Sequence, residues 1–370
     1  MNTSIVTLLG GDNGYGESVV VKVHDHFWIV IDSSIEPTTG NPLALIYLNR
    51  KNVDISNDVR MVICTHWHSD HIKGLDKILE RCKSAKFVCA MATDKDKFLR
   101  YIEFEARPEK NGFSSTDIFY NCINIAYKRK TDVIIASQDK LLSKDEVNGI
   151  KSFIYSLSPS DDTMKSFLQE ITAAFKTSTA NTKIIEQSPN ERCVVLLISV
   201  NKYNVILGGD LESKGWTVIL ENSEALKDRK FNVIKIPHHG SDTAYLKELW
   251  SNFADHVIAH VSAYNRLKEP LPKEEMLRKY SSLSDELYLT SDYTQKKAPK
   301  KRERSLQKAI QRLNSTIYEI PYRFGEIESE INLGDPQAKW ITHTKGCALK
   351  IDEKYWESKS SINKKVPTFK

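Results

Sequence analysis

The sequence lacks the features that usually mark membrane-spanning, exported and disulfide-rich proteins. No apolar run approaches the length needed to cross a membrane. Residues 1–11 do not have the basic-then-apolar layout of a signal peptide. The six cysteines form no C-x-x-C pair, which disfavours a disulfide framework. We therefore expect a cytoplasmic protein with reduced thiols and no membrane partner.

The sequence also has little excess charge of either sign. The formal net charge is +5, which is compatible with an anionic substrate but does not require nucleic acid as a partner. With 370 residues, the chain can bury a large core in one elaborated domain or in two.

A dense group of metal-binding residue types follows the apolar run Val59–Cys64, which predicts a buried strand. Residues 65–71 read THWHSDH, and their four candidate ligands are His66, His68, Asp70 and His71. A single histidine on an apolar face is usually part of the core, but four such side chains would crowd one another in a packed interior. The spacing allows the first two to serve one ion and the last two a second. Imidazole and carboxylate without thiolate suit borderline divalent metals.

Two later strand ends carry residues of the same kind. Residues 203–207 predict a strand that ends in Gly208-Gly209-Asp210. Because the glycines let the backbone approach a ligand closely, Asp210 is a candidate for a carboxylate that bridges two ions. Residues 233–236 predict a strand that leads into a Gly-Ser turn with two further candidates, His238 and His239.

Asp32 ends the strand predicted over 27–31, shortly before the histidine-rich loop. A carboxylate there can accept a hydrogen bond from a ligand imidazole and fix its orientation. The alternative is an ordinary Asx turn at the end of a strand.

Periodicity and turn residues predict the remaining elements. Strands are expected at 5–10, 19–23, 85–89, 192–200, 256–262 and 287–290, and helices at 43–49, 72–81, 245–250 and 273–280. Residues 94–183 are less regular and predict an insertion, with helices at 95–106 and 164–175 and strands at 133–135 and 151–157. The apolar stripe of the second of these helices indicates core packing or a lid.

A basic segment at 296–304 predicts a boundary between residues 1–295 and a C-terminal part, 296–370. Such a segment is most often a solvated loop, and contact with a nucleic-acid backbone is the alternative. Beyond it we expect strands at 325–331, 340–344 and 348–351, and then a polar, lysine-rich tail.

The order of these motifs resembles the metallo-β-lactamase fold and, more narrowly, the hydrolase domain of the ComEC competence proteins. The resemblance covers about residues 1–295 and rests on the loop at 66–71 together with GYGES at 14–18, LSP at 157–159, LGGD at 207–210, PHHGS at 237–241, SAYN at 262–265 and LYLT at 287–290. It implies an α/β sandwich of the αββα type, with two sheets packed face to face and helices outside, here with a helical insertion and a C-terminal extension.

The resemblance also implies roles for the ligands. His66 and His68 would bind the first ion, Asp70 and His71 the second together with one of His238 and His239, and Asp210 would bridge them. Most members of the fold have a further histidine before the bridging aspartate, but no histidine lies between His71 and His238 here. Asn190 lies near the equivalent place as a weak ligand or substrate-orienting group. Two divalent ions are therefore expected, Zn²⁺ or Mn²⁺ with Mg²⁺ as an option, and the missing nitrogen favours Mn²⁺.

The resemblance to the ComEC hydrolase domain, together with the two-ion site and the basic segment, implies a metal-dependent hydrolase that cleaves phosphodiester bonds, with DNA or RNA as the leading substrate. Asp70 and Asp210 would hold the ions, and whichever of His238 and His239 is not a ligand would donate to the substrate. Ser241 and Lys235 lie near enough in sequence to contact a phosphate, or else face solvent. The alternatives are a small-molecule phosphodiesterase or ester hydrolase, and an effector subunit of a bacterial defence system that needs a protein partner.

Overall fold

The computed structural model describes residues 3–11, 14–90, 115–131, 133–177, 189–251, 253–292 and 324–363. The helix predicted at 95–106 and the basic segment at 296–304 lie outside these ranges. In the described part, strands form two eight-stranded sheets.

The first sheet is built mainly from the N-terminal half of the chain. Its strands, in spatial order, are β15 (Ile341–Gly346), β14 (Gly325–Asn332), β1 (Thr3–Gly10), β2 (Glu17–His24), β3 (Phe27–Ile31), β4 (Val59–Cys64), β5 (Lys86–Cys89) and β6 (Val133–Ile135). β2 and β3 form an antiparallel hairpin, and β3 to β6 run parallel to one another. The carboxyl ends of β3 and β4 therefore lie side by side, which brings Asp32 next to the loop at 65–71.

The second sheet repeats this plan with later strands. Its spatial order is β16 (Leu349–Lys350), β13 (Glu286–Leu289), β12 (Phe253–Val261), β11 (Phe231–Lys235), β10 (Tyr203–Leu207), β9 (Leu196–Val200), β8 (Ile150–Ser156) and β7 (Lys140–Val147). β10 to β13 are parallel, so the segments after β10 and β11 emerge at one edge.

Three apolar clusters show how the layers pack. One cluster lies between the sheets, for example at Leu8, Ile29 and Ile258. Two others join the outer face of each sheet to helices.

The helices are α1 (Leu43–Arg50), α2 (Ile55–Asp58), α3 (Ser69–Ile72), α4 (Leu75–Arg81), α5 (Ser115–Lys128), α6 (Asp161–Thr177), α7 (Ser213–Asn222), α8 (Lys247–Trp250), α9 (Glu274–Leu283) and α10 (Glu353–Asn363). The predicted αββα sandwich is confirmed. No helix in the described part combines the length and apolar character that crossing a bilayer requires.

The helix predicted at 72–81 is wrong in its extent, because the structure divides it. α3 ends at Ile72 and α4 begins at Leu75, and Gly74 between them has a φ of +81°. Ser33 anchors this break, since its Oγ donates to the Lys73 carbonyl at 2.6 Å. The spacing of the apolar residues predicted one helix because the helical period continues through the glycine.

The segments at the proposed insertion and extension contribute to the two sheets. Within 94–183, β6 joins the first sheet and β7 and β8 join the second. β14 pairs with β1 along eight residues of each strand. The predicted polar tail contains α10. The sequence analysis did not predict α5, α7 or β7.

Candidate metal centre

The loop after β4 is held by Asp32 at the end of β3. Asp32 Oδ1 accepts from the Thr65 backbone N–H at 2.8 Å, and Oδ2 lies 2.6 Å from Thr65 Oγ and 2.8 Å from His71 Nδ1. Asp32 is buried and has a left-handed backbone with φ of +57°. This carboxylate therefore fixes both the start and the end of the loop, and it turns the other nitrogen of His71 away from itself.

The second half of the chain supplies Asp210 and His239 from the ends of β10 and β11. Gly209, which precedes Asp210, has a φ of +50°, and a Cβ there would lie 2.3 Å from Cys193 Sγ. The Asp210 N–H donates to the same sulfur at 3.1 Å. His238 and His239 are both left-handed, with φ of +46° and +52°. Consecutive left-handed residues other than glycine are costly and occur mostly at functional sites.

Four of the predicted side chains converge on one point between the sheets' edges. His71 Nε2 lies 3.2 Å from Asp210 Oδ2 and 3.6 Å from Asp70 Oδ2. His239 Nε2 lies 3.2 Å from the same Asp70 oxygen and 3.5 Å from the same Asp210 oxygen. All four residues are buried.

A second group of possible ligands shares Asp210 with the first. The group consists of His66, His68 and Asp210, with one potential ligand atom from each within 4.8 Å of the others. His66 Nε2 lies 3.8 Å from Asp210 Oδ2 and 3.0 Å from His68 Nδ1. Asp210 thus lies between the two groups.

Unpaired buried atoms show that these residues fit a cation. His71 Nε2, His239 Nε2 and Asp210 Oδ1 are buried and have no hydrogen-bond partner among the residues that the structure describes. Such atoms are costly in a folded protein unless something satisfies them. Imidazole nitrogens beside carboxylate oxygens form a donor set suited to Zn²⁺ or Mn²⁺.

The charges of the centre stabilise one another. Burial alone would lower the pKa of His71, but the carboxylates of Asp210, Asp70 and Glu17 raise it well above its usual value. Burial also opposes the charged form of His239, but Asp210 and Asp70 outweigh it and raise the pKa of His239 to about 9. A divalent cation competes with these protons for the same nitrogens, so metal affinity should rise with pH.

Sequence reasoning did not identify Glu17 as part of this site. One of its carboxylate oxygens lies within 4.8 Å of ligand atoms of His71, Asp210 and His239. Glu17 begins β2 directly after the glycine turn, and its Oε1 pairs with Lys235 Nζ at 2.6 Å. Its other oxygen accepts from Ser262 Oγ, which also lies 2.9 Å from His239 Nδ1. The available signal was Lys235 at the end of the mainly apolar strand β11, because a buried ammonium needs a carboxylate.

Neither residue suggested for phosphate contact faces solvent. Lys235 is only 2% exposed, and besides Glu17 it donates to the Gly209 carbonyl at 2.9 Å. Ser241 is buried and caps the next turn, where its Oγ accepts from the Thr243 N–H at 3.3 Å. The ammonium group of Lys235 is therefore held inside the site by Glu17 and Gly209.

The structure separates the two adjacent histidines. His239 lies in the group of candidate ligands, whereas His238 lies outside that group and is partly exposed. His238 Nε2 is 3.4 Å from Asn190 Nδ2, and its Nδ1 is 3.4 Å from Glu212 Oε1. Burial lowers the pKa of His238, so the imidazole is mostly neutral at pH 7. Asn190 Oδ1 is buried and has no hydrogen-bond partner within the described part of the chain.

Comparison with known proteins finds a similarity over part of the N-terminal half of the chain. Residues 11–121 match the model of the metallo-beta-lactamase superfamily, a range that includes Glu17, Asp32 and the whole loop at 65–71. No curated protein matched the sequence.

Solved structures with a similar arrangement have low sequence identity. The metallo-beta-lactamase fold protein YhfI from Bacillus subtilis is 10% identical, with 77% of this chain and 95% of that chain covered and a TM-score of 0.36. Zn²⁺-bound PqqB from Methylobacterium extorquens is 11% identical, with 74% and 85% covered and a TM-score of 0.34. AidC, a dizinc quorum-quenching lactonase, is 12% identical, with 53% and 57% covered and a TM-score of 0.29.

Proposed function

We propose that the protein is a metal-dependent phosphodiesterase that acts on nucleic acid. One observation carries this proposal: two groups of possible ligands share the buried carboxylate of Asp210. A shared carboxylate is the usual way to hold two divalent ions a few Å apart, and such pairs serve in-line displacement at phosphorus. The superfamily match and the resemblance to the ComEC hydrolase domain support hydrolysis.

The ligand sets follow from the distances. His66, His68 and Asp210 would hold the first ion. The second would be held by Asp70, His71, Asp210 and His239, the residues that converge through their inward-facing nitrogen and oxygen atoms. Bound divalent ions would supply positive charge to a phosphoryl group and acidify a water molecule.

The remaining residues position these ligands and serve the substrate. Asp32 orients His71, and Ser262 orients His239. His238 is 21% exposed at its side chain, and its neutral imidazole can exchange a proton with substrate or water. Asn190 can offer its free carbonyl oxygen to the first ion or hold His238 in place.

An activity assay with elemental analysis tests the proposal. Purified protein is incubated with Mn²⁺, Mg²⁺ or Zn²⁺ and with single-stranded DNA, linear duplex DNA, RNA, bis-p-nitrophenyl phosphate or a carboxylic ester. Asp210→Asn removes the shared carboxylate charge, and Asp25→Asn, at a half-buried turn aspartate that pairs with Lys22, is the matched control. We expect cleavage of a nucleic acid that is lost in the first variant and kept in the second.

The other outcomes are equally informative. Cleavage of the small diester alone would replace the nuclease with a small-molecule phosphodiesterase. Cleavage of the carboxylic ester alone would move the reaction away from phosphorus. Two bound ions per chain without any cleavage would point to a required protein partner, and no bound metal would overturn the proposal.

A further inference from the structure

Two loops from opposite halves of the chain meet beside the metal centre. The turn at Gly14-Tyr15 and the segment after β12 are joined by the Asn265 N–H, which donates to the Gly14 carbonyl at 2.9 Å. Gly14 has a φ of +73°, and a Cβ there would lie 3.0 Å from Ala263 Cβ. Because a larger residue would push the loops apart, glycine permits this close approach.

The junction places two tyrosine rings next to a ligand histidine. The Tyr264 ring lies 4.9 Å from that of His239, at an angle of 36°. The Tyr15 ring follows at 5.6 Å from Tyr264. The Tyr15 hydroxyl is hydrogen-bonded to Ser69, the residue before Asp70. The two tyrosine rings thus form an aromatic surface beside His239 and Asp70, which are proposed ligands of the second ion. Both tyrosines are partly exposed.

Two cations lie over the same surface. The Arg266 guanidinium is 4.6 Å from the centre of the Tyr15 ring, and Lys73 Nζ is 5.0 Å from it. Arg266 is exposed and forms no ion pair with any residue in the described ranges. We call Tyr15, Lys73, Tyr264 and Arg266 the tyrosine–cation rim.

We propose that this rim binds a nucleotide adjoining the scissile phosphate of single-stranded nucleic acid. An unpaired base can stack on a tyrosine, and a neighbouring phosphate can pair with the arginine and lysine. A chance surface contact would explain one cation over one ring, but it would not explain a second ring that continues to His239. The inference rests on the proposed function, since it extends the substrate beyond the cleaved bond.

The rim adjoins Asp70 through Ser69 and His239 through Tyr264. A base stacked there would lie next to the ligands proposed for the second ion. A duplex presents no unpaired base there, so single strands should be preferred.

Binding of a fluorescein-labelled single-stranded oligonucleotide, followed by anisotropy without metal, tests the inference directly. We expect Arg266→Ala and Tyr15→Ala each to raise the Kd about tenfold. Tyr15→Phe keeps the ring and should bind nearly as well as the original protein. In Arg266→Ala the slope of log K against log salt concentration should fall by about 0.7, the value for one lost phosphate contact to a single strand.

The matched control is Arg278→Ala, because Arg278 also packs on a ring, that of Trp356 at 4.0 Å, but belongs to α9. Equal losses for Arg278→Ala and Arg266→Ala, or no loss for Arg266→Ala and Tyr15→Ala, would overturn the inference. Cleavage of bis-p-nitrophenyl phosphate reports separately on the metal centre. If that cleavage is present and the rim variants bind normally, the inference fails while phosphodiester hydrolysis stands.

Discussion

Glu17 shows how a single carboxylate connects the two halves of the molecule. Burial would raise its pKa, but Lys235, His71 and His239 lower it, so the carboxylate stays charged. Through Lys235 it is linked to the Gly209 carbonyl, and through Ser262 to His239. A buried ion pair of this kind is strongly destabilising to break, by about 3–5 kcal/mol, because it leaves one charge unpaired.

The candidate ligands that could be predicted from the sequence are those whose residue types cluster along the chain. Asp70 and His71 are neighbours in a loop with four candidate ligands within six residues. Glu17 was missed because its partners come from β11 and from the end of β12, and only the packing of the two sheets brings them together. The choice between His238 and His239 also required the structure, since it depends on the left-handed turn between them.

Replacing Asp32 by asparagine should weaken metal binding. All three groups that face its carboxylate, Thr65 N–H, Thr65 Oγ and His71 Nδ1, donate to it or lie in donor positions. The amide nitrogen of the variant would be a hydrogen-bond donor facing these other donors. The His71 ring would then no longer be held in its orientation. We expect a roughly 10–100-fold loss in metal affinity, the usual effect of removing such a partner. Isothermal titration with Mn²⁺ or Zn²⁺ measures it, and unchanged affinity in a folded Asp32→Asn variant would refute this role.

At the scale of elements, glycine turns decide where the helices around the centre begin and end. Gly74 separates α3 from α4, and so the loop that carries the ligands is closed by a short helix of its own. The helical period alone could not reveal this break, because Ile72, Leu75, Ile78 and Leu79 fall on one continuous stripe. In contrast, β4 was predicted at its observed bounds because it is both apolar and flanked by polar residues.

Alanine substitutions at two left-handed glycines, Gly74 and Gly40, should show how much the packing around Gly74 contributes to stability. Gly74→Ala would place a Cβ 3.0 Å from Ile35 Cγ2 and 3.1 Å from Pro42 Cγ, in a backbone with φ of +81°. Gly40 has φ of +67°, and no atom of the described residues lies within 4 Å of its Cβ position. The left-handed backbone should cost about 1–2 kcal/mol in each variant. Gly74→Ala should lose clearly more stability in urea unfolding, and equal losses would show that the contacts relax without cost.

His260 on β12 should make stability depend on pH. It is buried between the sheets, where its Nε2 lies 2.8 Å from Ser329 Oγ of β14. Burial lowers the pKa of His260 to about 3, against about 6.5 in an unfolded chain. Between these values the unfolded state binds the extra proton, so the contribution is complete above pH 6.5 and is lost as the pH falls towards 3.

The size of this effect is about 1.4 kcal/mol for each pH unit below 6.5. His260→Gln keeps a polar side chain but cannot titrate. The difference in unfolding free energy between the two proteins, measured in urea at pH 7 and at pH 5, should therefore shift by roughly 2 kcal/mol in favour of the variant at pH 5. A constant difference across this range would show that His260 is not held neutral by burial.

At the scale of the whole molecule, the C-terminal strands join both sheets. β14 lies between β15 and β1 in the first sheet, and β16 completes the edge of the second. Buried glutamates of β14 pair with the end of α1 and the residue after it, Glu326 with Arg50 at 2.6 Å and Glu328 with Lys51 at 2.7 Å. The general sandwich could be predicted from motif order, but this pairing could not, because strand partners so far apart in sequence leave no local signal.

Removing the C-terminal part tests whether residues 1–295 fold alone, as the sequence boundary suggested. In a chain that ends at residue 323, β1 would lose its neighbour along eight paired residues. Ile327, Ile331 and Trp340 would leave the core between the sheets. Burial of each such side chain contributes about 2 kcal/mol, and a typical domain has only about 5–15 kcal/mol in total.

We therefore expect the chain ending at residue 323 to lose its cooperative unfolding transition and its resistance to proteolysis. A chain ending at residue 363, which keeps α10, is the control and should unfold like the full-length protein. Thermal unfolding followed by circular dichroism distinguishes the two. If the shorter chain unfolded cooperatively and still bound metal, the C-terminal strands would be dispensable and the domain boundary near residue 295 would be supported. If it did not, the metal centre depends on the closed sheet, because β1 supports the hairpin of β2 and β3 that carries Glu17 and leads to Asp32.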